Sequence, residues 1–366
     1  MHKHLLLSLV VWLSCGLLSQ ASYAEDVLPN HAVVMLYHHV ADNTPAITSI
    51  SPENFQQQLS YLADNDFHVW PLEKIVKHLQ ADQTMPDKVV AITFDDSYQS
   101  VYDTAYPLLK KRQWPFTIFV STDAVDGNFN RQTSWEQLRT MARNGATIAN
   151  HSATHRHLLH PIKPQESKQQ WLQRVEKDIN RAQQRIQTEI GHSPKLFAYP
   201  YGEYNPALAK LLKQMGYIAF GQQSGAIGSH SDFTALPRYP FSGNYSSLDD
   251  FALKAMTLPF PVKGLIAPIN PLSHHQQQPT LKLKLAEDVL FQQSLGNLQC
   301  FASYQGKINT QLQEALTLVV GANKAIPAGR SRYNCTSSIS HQGQQRFYWY
   351  SHAWIRLDKN NQWILD

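Results

Sequence analysis

Two carboxylates close an apolar run, Val89-Val90-Ala91-Ile92-Thr93-Phe94-Asp95-Asp96. Neighbouring carboxylates repel, so both stay ionised only where a cation or hydrogen bonds compensate. Successive side chains of a strand point to opposite sides, so Asp95 and Asp96 can take different tasks. Alone, such a pair describes a helix cap equally well. A second group, Asn150-His151-Ser152-Ala153-Thr154-His155, follows the apolar run at 146–149. Histidines four apart fall on one side of a helical turn and can chelate one divalent ion, for which neutral imidazole suits zinc. By itself this spacing more often marks surface histidines, and His157 and His160 widen the choice of pair. Joined, one Asp and two His make a facial triad with open positions, and the second Asp stands beside it. An ion there polarises a carbonyl and acidifies water, while the spare carboxylate takes the water's proton. That is machinery for hydrolysing an amide or an ester. The third group is Phe197-Ala198-Tyr199-Pro200-Tyr201-Gly202-Glu203, where Pro and Gly set a tight loop. Its backbone N–H groups can face a developing oxyanion, although a plain turn before Pro206 has the same letters.

These groups need elements to position them. Apolar runs at 32–37, 67–70, 88–94, 116–120, 146–149, 196–199 and 217–220 read as short parallel strands, buried on both faces. Helical patterns alternate with them. Ser51 caps and Pro52 opens a helix whose buried face carries Phe55, Leu59 and Leu62. Ser134 and Gln137 form a capping-box pattern ahead of Trp135, Leu138 and Met141, with Gly145 as the stop. A long polar helix spans about 166–190. Repeated βα units predict an α/β fold, either a (β/α) barrel or a doubly wound sheet. Residues 256–280 carry five prolines and a Gln run, which predicts a linker. From 281 to 366 the alternation of Leu281, Leu283 and Leu285 with Lys predicts a small β domain. There Tyr333, Tyr348, Trp349, Tyr350, Trp354 and Trp363 divide between core and a sugar-stacking platform.

The 366 residues are 43% hydrophobic and 16% charged, ample for a buried core and unlike a disordered chain. Thirty-two Lys plus Arg against 28 Asp plus Glu is too weak a basic excess for a nucleic-acid partner. At the N-terminus Lys3, an apolar run from Leu5, and small residues Ser22 and Ala24 read as a signal peptide over 1–24. Export to the periplasm or beyond, with no stable membrane span after cleavage, is the expectation. A lipid anchor on Cys15 is the alternative, disfavoured by a poor lipobox. Cys300 and Cys335 then remain, and in an oxidising compartment they predict a disulfide.

Thr93-Phe94-Asp95-Asp96, His151-Ser152-x-x-His155 and the Pro200-Tyr201-Gly202 loop, in this order and at these spacings, resemble the NodB-homology polysaccharide deacetylases, carbohydrate esterase family 4. The resemblance covers about residues 32–255. Tyr37-His38-His39, Met85-Pro86-Asp87-Lys88 and the stretch from Asp95 to Tyr102 are most similar to the poly-β-1,6-N-acetylglucosamine N-deacetylases. The resemblance implies a distorted (β/α) barrel over 25–255 and one divalent metal, zinc ahead of Co, Ni or Fe, held by Asp96, His151 and His155. It implies Asp95 as general base and the backbone N–H of Tyr201 as oxyanion donor. The implied activity removes acetyl groups from N-acetylglucosamine units of an acetylated polysaccharide. O-acetyl ester cleavage on a xylan-like glycan, and glycan binding by a vestigial site, are the alternatives. Two departures stand out. Many members carry Arg where this chain has Ala198, and the late Leu-x-His of the family is matched in letters only by Leu272-Ser273-His274, inside the Pro-rich segment. That leaves His38 and His39 as candidates for substrate contact or proton donation.

Overall fold

The computed structural model describes residues 28–364 apart from 128 and 164. The expected signal peptide at 1–24 and Cys15 lie outside the described residues. No helix among the described residues is long and apolar enough to cross a membrane.

The seven apolar runs form strands, and their two-sided hydrophobicity explains the sheet. Every residue of His31–Tyr37 and of Val89–Asp95 is buried, as central parallel strands require. Parallel pairing runs from His31–Tyr37 through Val89–Asp95, Phe116–Val120, Ala146–Asn150 and Leu196–Ala198 to Ile218–Phe220. His68–Val69 adds to Val89–Asp95, and Ile227–Gly228 adds antiparallel to His31–Tyr37. The sheet curls, and residues 236–240 span its two ends. Leu236 N–H donates to the Ala219 carbonyl at 2.8 Å, while Tyr239 and Pro240 pair with Met35 and Leu36. This is the distorted (β/α) barrel expected from the sequence.

The helices start where their caps predict. Ser51 Oγ accepts from the Asn54 N–H at 3.0 Å, and Phe55, Leu59 and Leu62 of Pro52–Asp64 are buried. Ser134 and Gln137 form the capping box of Trp135–Arg143. Ser167 and Gln170 form another, so the long helix is Lys168–Ile190 and starts two residues later than the pattern predicted. Glu166 instead pairs with Arg174 at 2.7 Å.

The C-terminal part is a pair of antiparallel-rich sheets. One contains Leu258–Pro259, Gln344–Arg356, Gly329–His341, Gln299–Ala302 and Gly306–Lys307 in that order. The other contains Val262–Ile266, Thr280–Leu285, Thr317–Gly321 and Asn309–Gln313. Leu281, Leu283 and Leu285 are buried with Leu318, Val320 and Trp354, whereas Lys282 and Lys284 are exposed. Cys300 and Cys335 face each other on adjacent strands and form the disulfide.

Two expectations change here. The segment at 256–280 is not a free linker. It supplies two strands, buries Leu258, Phe260 and Leu272 in the second core, and bonds Leu272 N–H to the Ile355 carbonyl at 2.7 Å. Proline density masked this because prolines sit at strand ends, where no ladder donor is needed. The aromatics do not form an exposed platform either. Tyr333, Tyr348 and Trp354 are fully buried core, and Trp349 packs edge-on against Tyr239 of the barrel at 5.7 Å. Arg346, almost fully buried, ties the two parts together through Asp87 at 3.0 Å and the Met256 carbonyl.

Candidate active site

The three motifs converge on the C-terminal ends of the parallel strands, the rim where (β/α) barrels do chemistry. Asp95 ends Val89–Asp95, and Asp96 follows it with φ 72°. His151 directly follows Ala146–Asn150, and Tyr201 lies in the turn after Leu196–Ala198. Ligand atoms of Asp96, His151 and His155 all lie within 4.8 Å of one another, the single such cluster of three among the described residues. His155 Nε2 is 3.1 Å and His151 Nε2 3.5 Å from Asp96 Oδ1.

The surroundings fit a metal. His151 Nδ1 is 2.8 Å from the Ala198 carbonyl, which requires the N–H there and turns the Nε2 lone pair toward Asp96. Burial lowers the His151 pKa to about 4 despite the nearby carboxylates, keeping the ring neutral as a ligand must be. The His155 backbone N–H donates to Ser152 Oγ at 3.0 Å, fixing the turn that brings the second imidazole round. His157 and His160 are drawn elsewhere. His157 Nδ1 pairs with Glu203 at 3.0 Å, and His160 stands edge-on to Trp363 at 5.2 Å.

Asp95 is fully buried, and Arg238 grips it through two bonds of 2.7 Å, Nη1 to Oδ1 and Nη2 to Oδ2. Burial alone would raise the carboxyl pKa. Arg238 first, then His151 and His38, outweigh it and hold the group at about 2. Arg238 itself donates Nε to the Gly221 carbonyl at 2.9 Å and lies over the Phe119 ring. The position occupied by Ala198 lacks the Arg seen in many deacetylases, and here the guanidinium comes from the segment that spans the two ends of the barrel. Sequence reasoning missed Arg238. Its one signal was a lone cation within Leu236-Pro237-Arg238-Tyr239-Pro240.

Tyr98 was also missed. Its hydroxyl bonds Asp96, and burial together with that carboxylate raises its pKa. His39 stacks on the Tyr98 ring at 3.6 Å and is held neutral, its pKa lowered to about 4 by burial and by His38. His38 is close enough to Asp95 to lower its pKa, and His38 Nδ1 is buried without a hydrogen-bond partner among the described residues. Tyr201 holds φ 59° and stacks face to face on His157 at 3.7 Å. His274 is not at the site. It bonds Asn361 at 2.9 Å in the C-terminal part. A cleft of about 590 Å³ opens beside the triad, lined by Asp96, Tyr98, Phe129, Gln132, His155 and Arg156.

The profile of the polysaccharide deacetylase family matches residues 82–220, which contain all three motifs. The chain is 24% identical over 299 residues to the poly-beta-1,6-N-acetyl-D-glucosamine N-deacetylase of Escherichia coli K12, covering 69% of this chain and 44% of that protein. It therefore spans less than half the length of that relative. The enzyme of the same name from Staphylococcus aureus MSSA476 is 28% identical over 198 residues, 52% of this chain and 67% of that one. Among solved structures, IcaB from Ammonifex degensii aligns with a TM-score of 0.53 at 26% identity, over 62% of this chain and 98% of that chain. The Streptococcus pyogenes deacetylase PplD, in complex with acetate, shares the fold with a TM-score of 0.55 at 22% identity, over 62% and 99%. Motifs, barrel and relatives agree, and over residues 82–220 the chain is similar to the polysaccharide deacetylase family.

Proposed function

We propose that this protein is an exported, metal-dependent N-deacetylase of polymeric N-acetylglucosamine. The observation that carries the proposal is one ionised, immobilised carboxylate, Asp95, set beside a three-residue chelating group of which Asp96 and His155 line an open cleft. The family and the names of the relatives supply the substrate class. Two imidazoles and one carboxylate suit zinc, with cobalt, nickel or iron as alternatives. Bound by Asp96, His151 and His155, the ion would polarise the acetyl carbonyl and acidify water.

The chain's own groups do the rest. Asp95 accepts a proton from the attacking water. Its carboxyl, held below the usual carboxylate range chiefly by Arg238, is ionised and free to take that proton. Arg238 keeps its two oxygens fixed and ionised. The Tyr201 backbone N–H donates to the carbonyl oxygen as negative charge develops there. His38, with an uncommitted buried ring nitrogen near Asp95, supplies the proton to the departing amine, while His39 supports Tyr98 by stacking. Phe129, exposed at the cleft edge, offers an apolar face to a pyranose ring. The disulfide agrees with an oxidising compartment and with the leader read at 1–24.

Acetate release from β-1,6- and β-1,4-linked N-acetylglucosamine oligomers tests the reading. Wild type should release acetate, and Asp95→Asn or His151→Ala should lose at least about 10³-fold in kcat. Release from acetylated xylan alone would replace the amide with an ester. Tight oligomer binding without turnover at any metal would replace the enzyme with a binding protein.

A further inference from the structure

The C-terminal β domain reaches the active site at two loops. Ile355 and Trp363 pack into the cluster that contains Leu158 and Leu159, just beyond the metal-binding histidines. From the Gly329–His341 strand, Arg330 donates Nη1 to the Tyr201 carbonyl at 3.1 Å and places its guanidinium 5.7 Å from the Tyr201 ring. Glu203, nearly fully buried, accepts from His157 Nδ1 and attracts Arg330 electrostatically.

Tyr201 needs such holding. Its φ of 59° and ψ of 7° are left-handed, a region that a non-glycine residue holds only under strain. Relaxation of φ toward negative values would carry the N–H away from the oxyanion position. The turn's own backbone bonds, Gly202 N–H to the Tyr199 carbonyl at 2.8 Å and Glu203 N–H to the Pro200 carbonyl at 3.2 Å, oppose that rotation, and side chains add to them, the His157 ring on the Tyr201 ring and Arg330 on the Tyr201 carbonyl. His157 belongs to the barrel. Arg330 arrives from more than a hundred residues away, in a domain with no other assigned task.

We propose that Arg330 is a positioning residue for the deacetylation, holding the Tyr201 backbone N–H in its oxyanion-facing orientation, and that the C-terminal β domain thereby completes the active site. This rests on the deacetylase reading above. An oxyanion donor acts in the transition state and not on bound substrate, so its misplacement lowers kcat and leaves KM nearly unchanged.

The test uses the full chain with metal restored. In Arg330→Ala, kcat on N-acetylglucosamine oligomers should fall about 10- to 100-fold, with KM within about twofold and metal content unchanged. Arg330→Lys should recover part of the loss. Arg332→Ala removes a charge from the same strand and should match wild type. Hydrogen exchange of a peptide covering 199–204 should quicken in Arg330→Ala and stay unchanged in Arg332→Ala. Wild-type kcat in Arg330→Ala, an equal loss in Arg332→Ala, or unchanged exchange at 199–204 overturns the proposal. Should Arg330→Ala fail to fold, Arg330→Lys carries the test, and wild-type kcat with wild-type exchange in that variant overturns it. If wild type releases no acetate from any oligomer, the deacetylase reading fails, and the exchange comparison alone decides what Arg330 holds.

Discussion

The barrel rim and the C-terminal sheets both contain residues in left-handed backbone, but for different ends. At the rim Asp96, Ser97, Ser152, His155 and Tyr201 have φ between 50° and 72°, and none of them is glycine. Each costs roughly 1–3 kcal/mol and persists only because its surroundings over-determine it. In the C-terminal part Gln342 and Gly343, with φ 49° and 77°, simply reverse the hairpin between Gly329–His341 and Gln344–Arg356. Such a turn favours both residues in that region. Strain at the rim aims side chains, and the same backbone angle at the hairpin only turns the chain. The two regions also bury ionisable groups differently. Asp95 is matched by a bidentate cation, whereas His352 is buried with Nε2 unpartnered among the described residues.

The largest effect should come from removing the matched cation. Arg238→Met leaves Asp95 buried and unpaired, which typically costs 3–5 kcal/mol. Without the guanidinium, burial raises the Asp95 pKa, so kcat should fall at least about 100-fold and the remaining activity should shift to higher pH. Denaturant unfolding and a pH–rate profile check both, and an unshifted profile would separate Arg238 from the base.

His352 tests the opposite case. Burial lowers its pKa from 6.5 to about 4. The unfolded chain therefore binds the proton first as pH falls, so the stability this group contributes is complete above about pH 6.5 and lost as pH drops through 4. His39 and His151 act in the same sense. In His352→Phe the loss of unfolding free energy between pH 7 and 4 should shrink by on the order of 3 kcal/mol, with activity at pH 7 retained. An identical acid slope in the two proteins would contradict this.

The smallest effects contrast the two kinds of left-handed residue directly. Ser152→Gly relieves backbone strain but removes the acceptor of the His155 N–H, so stability should hardly change while kcat falls about 10-fold. Gln342→Gly relieves the same strain where nothing is aimed, so stability should rise by about 0.5–1 kcal/mol and kcat should not move. Equal kinetics in both variants would mean the rim strain has no directing role.

Much of this was legible in the sequence. The seven strands are short runs hydrophobic on both faces, the Ser134 capping box is local, and Asp95, Asp96, His151 and His155 stand at strand ends where neighbouring letters announce them. Arg238 was not legible because its partner lies 143 residues away, and only closure of the curled sheet brings the two together. Arg330 was hidden for the same reason, one domain further off. The segment at 256–280 was misread because proline content is a local signal, while the burial of Leu258, Phe260 and Leu272 depends on sheets formed later in the chain.

In the proposed mechanism Asp96, His151 and His155 hold one divalent ion on which deacetylation by Asp95 depends. Metal-free protein titrated with Zn²⁺, with bound metal and acetate release from an N-acetylglucosamine oligomer read on the same sample, tests it directly. Activity should rise from near zero and level off at one equivalent of ion, and His155→Ala should neither bind tightly nor turn over. Undiminished acetate release from metal-free protein, or full activity in His155→Ala, would contradict it.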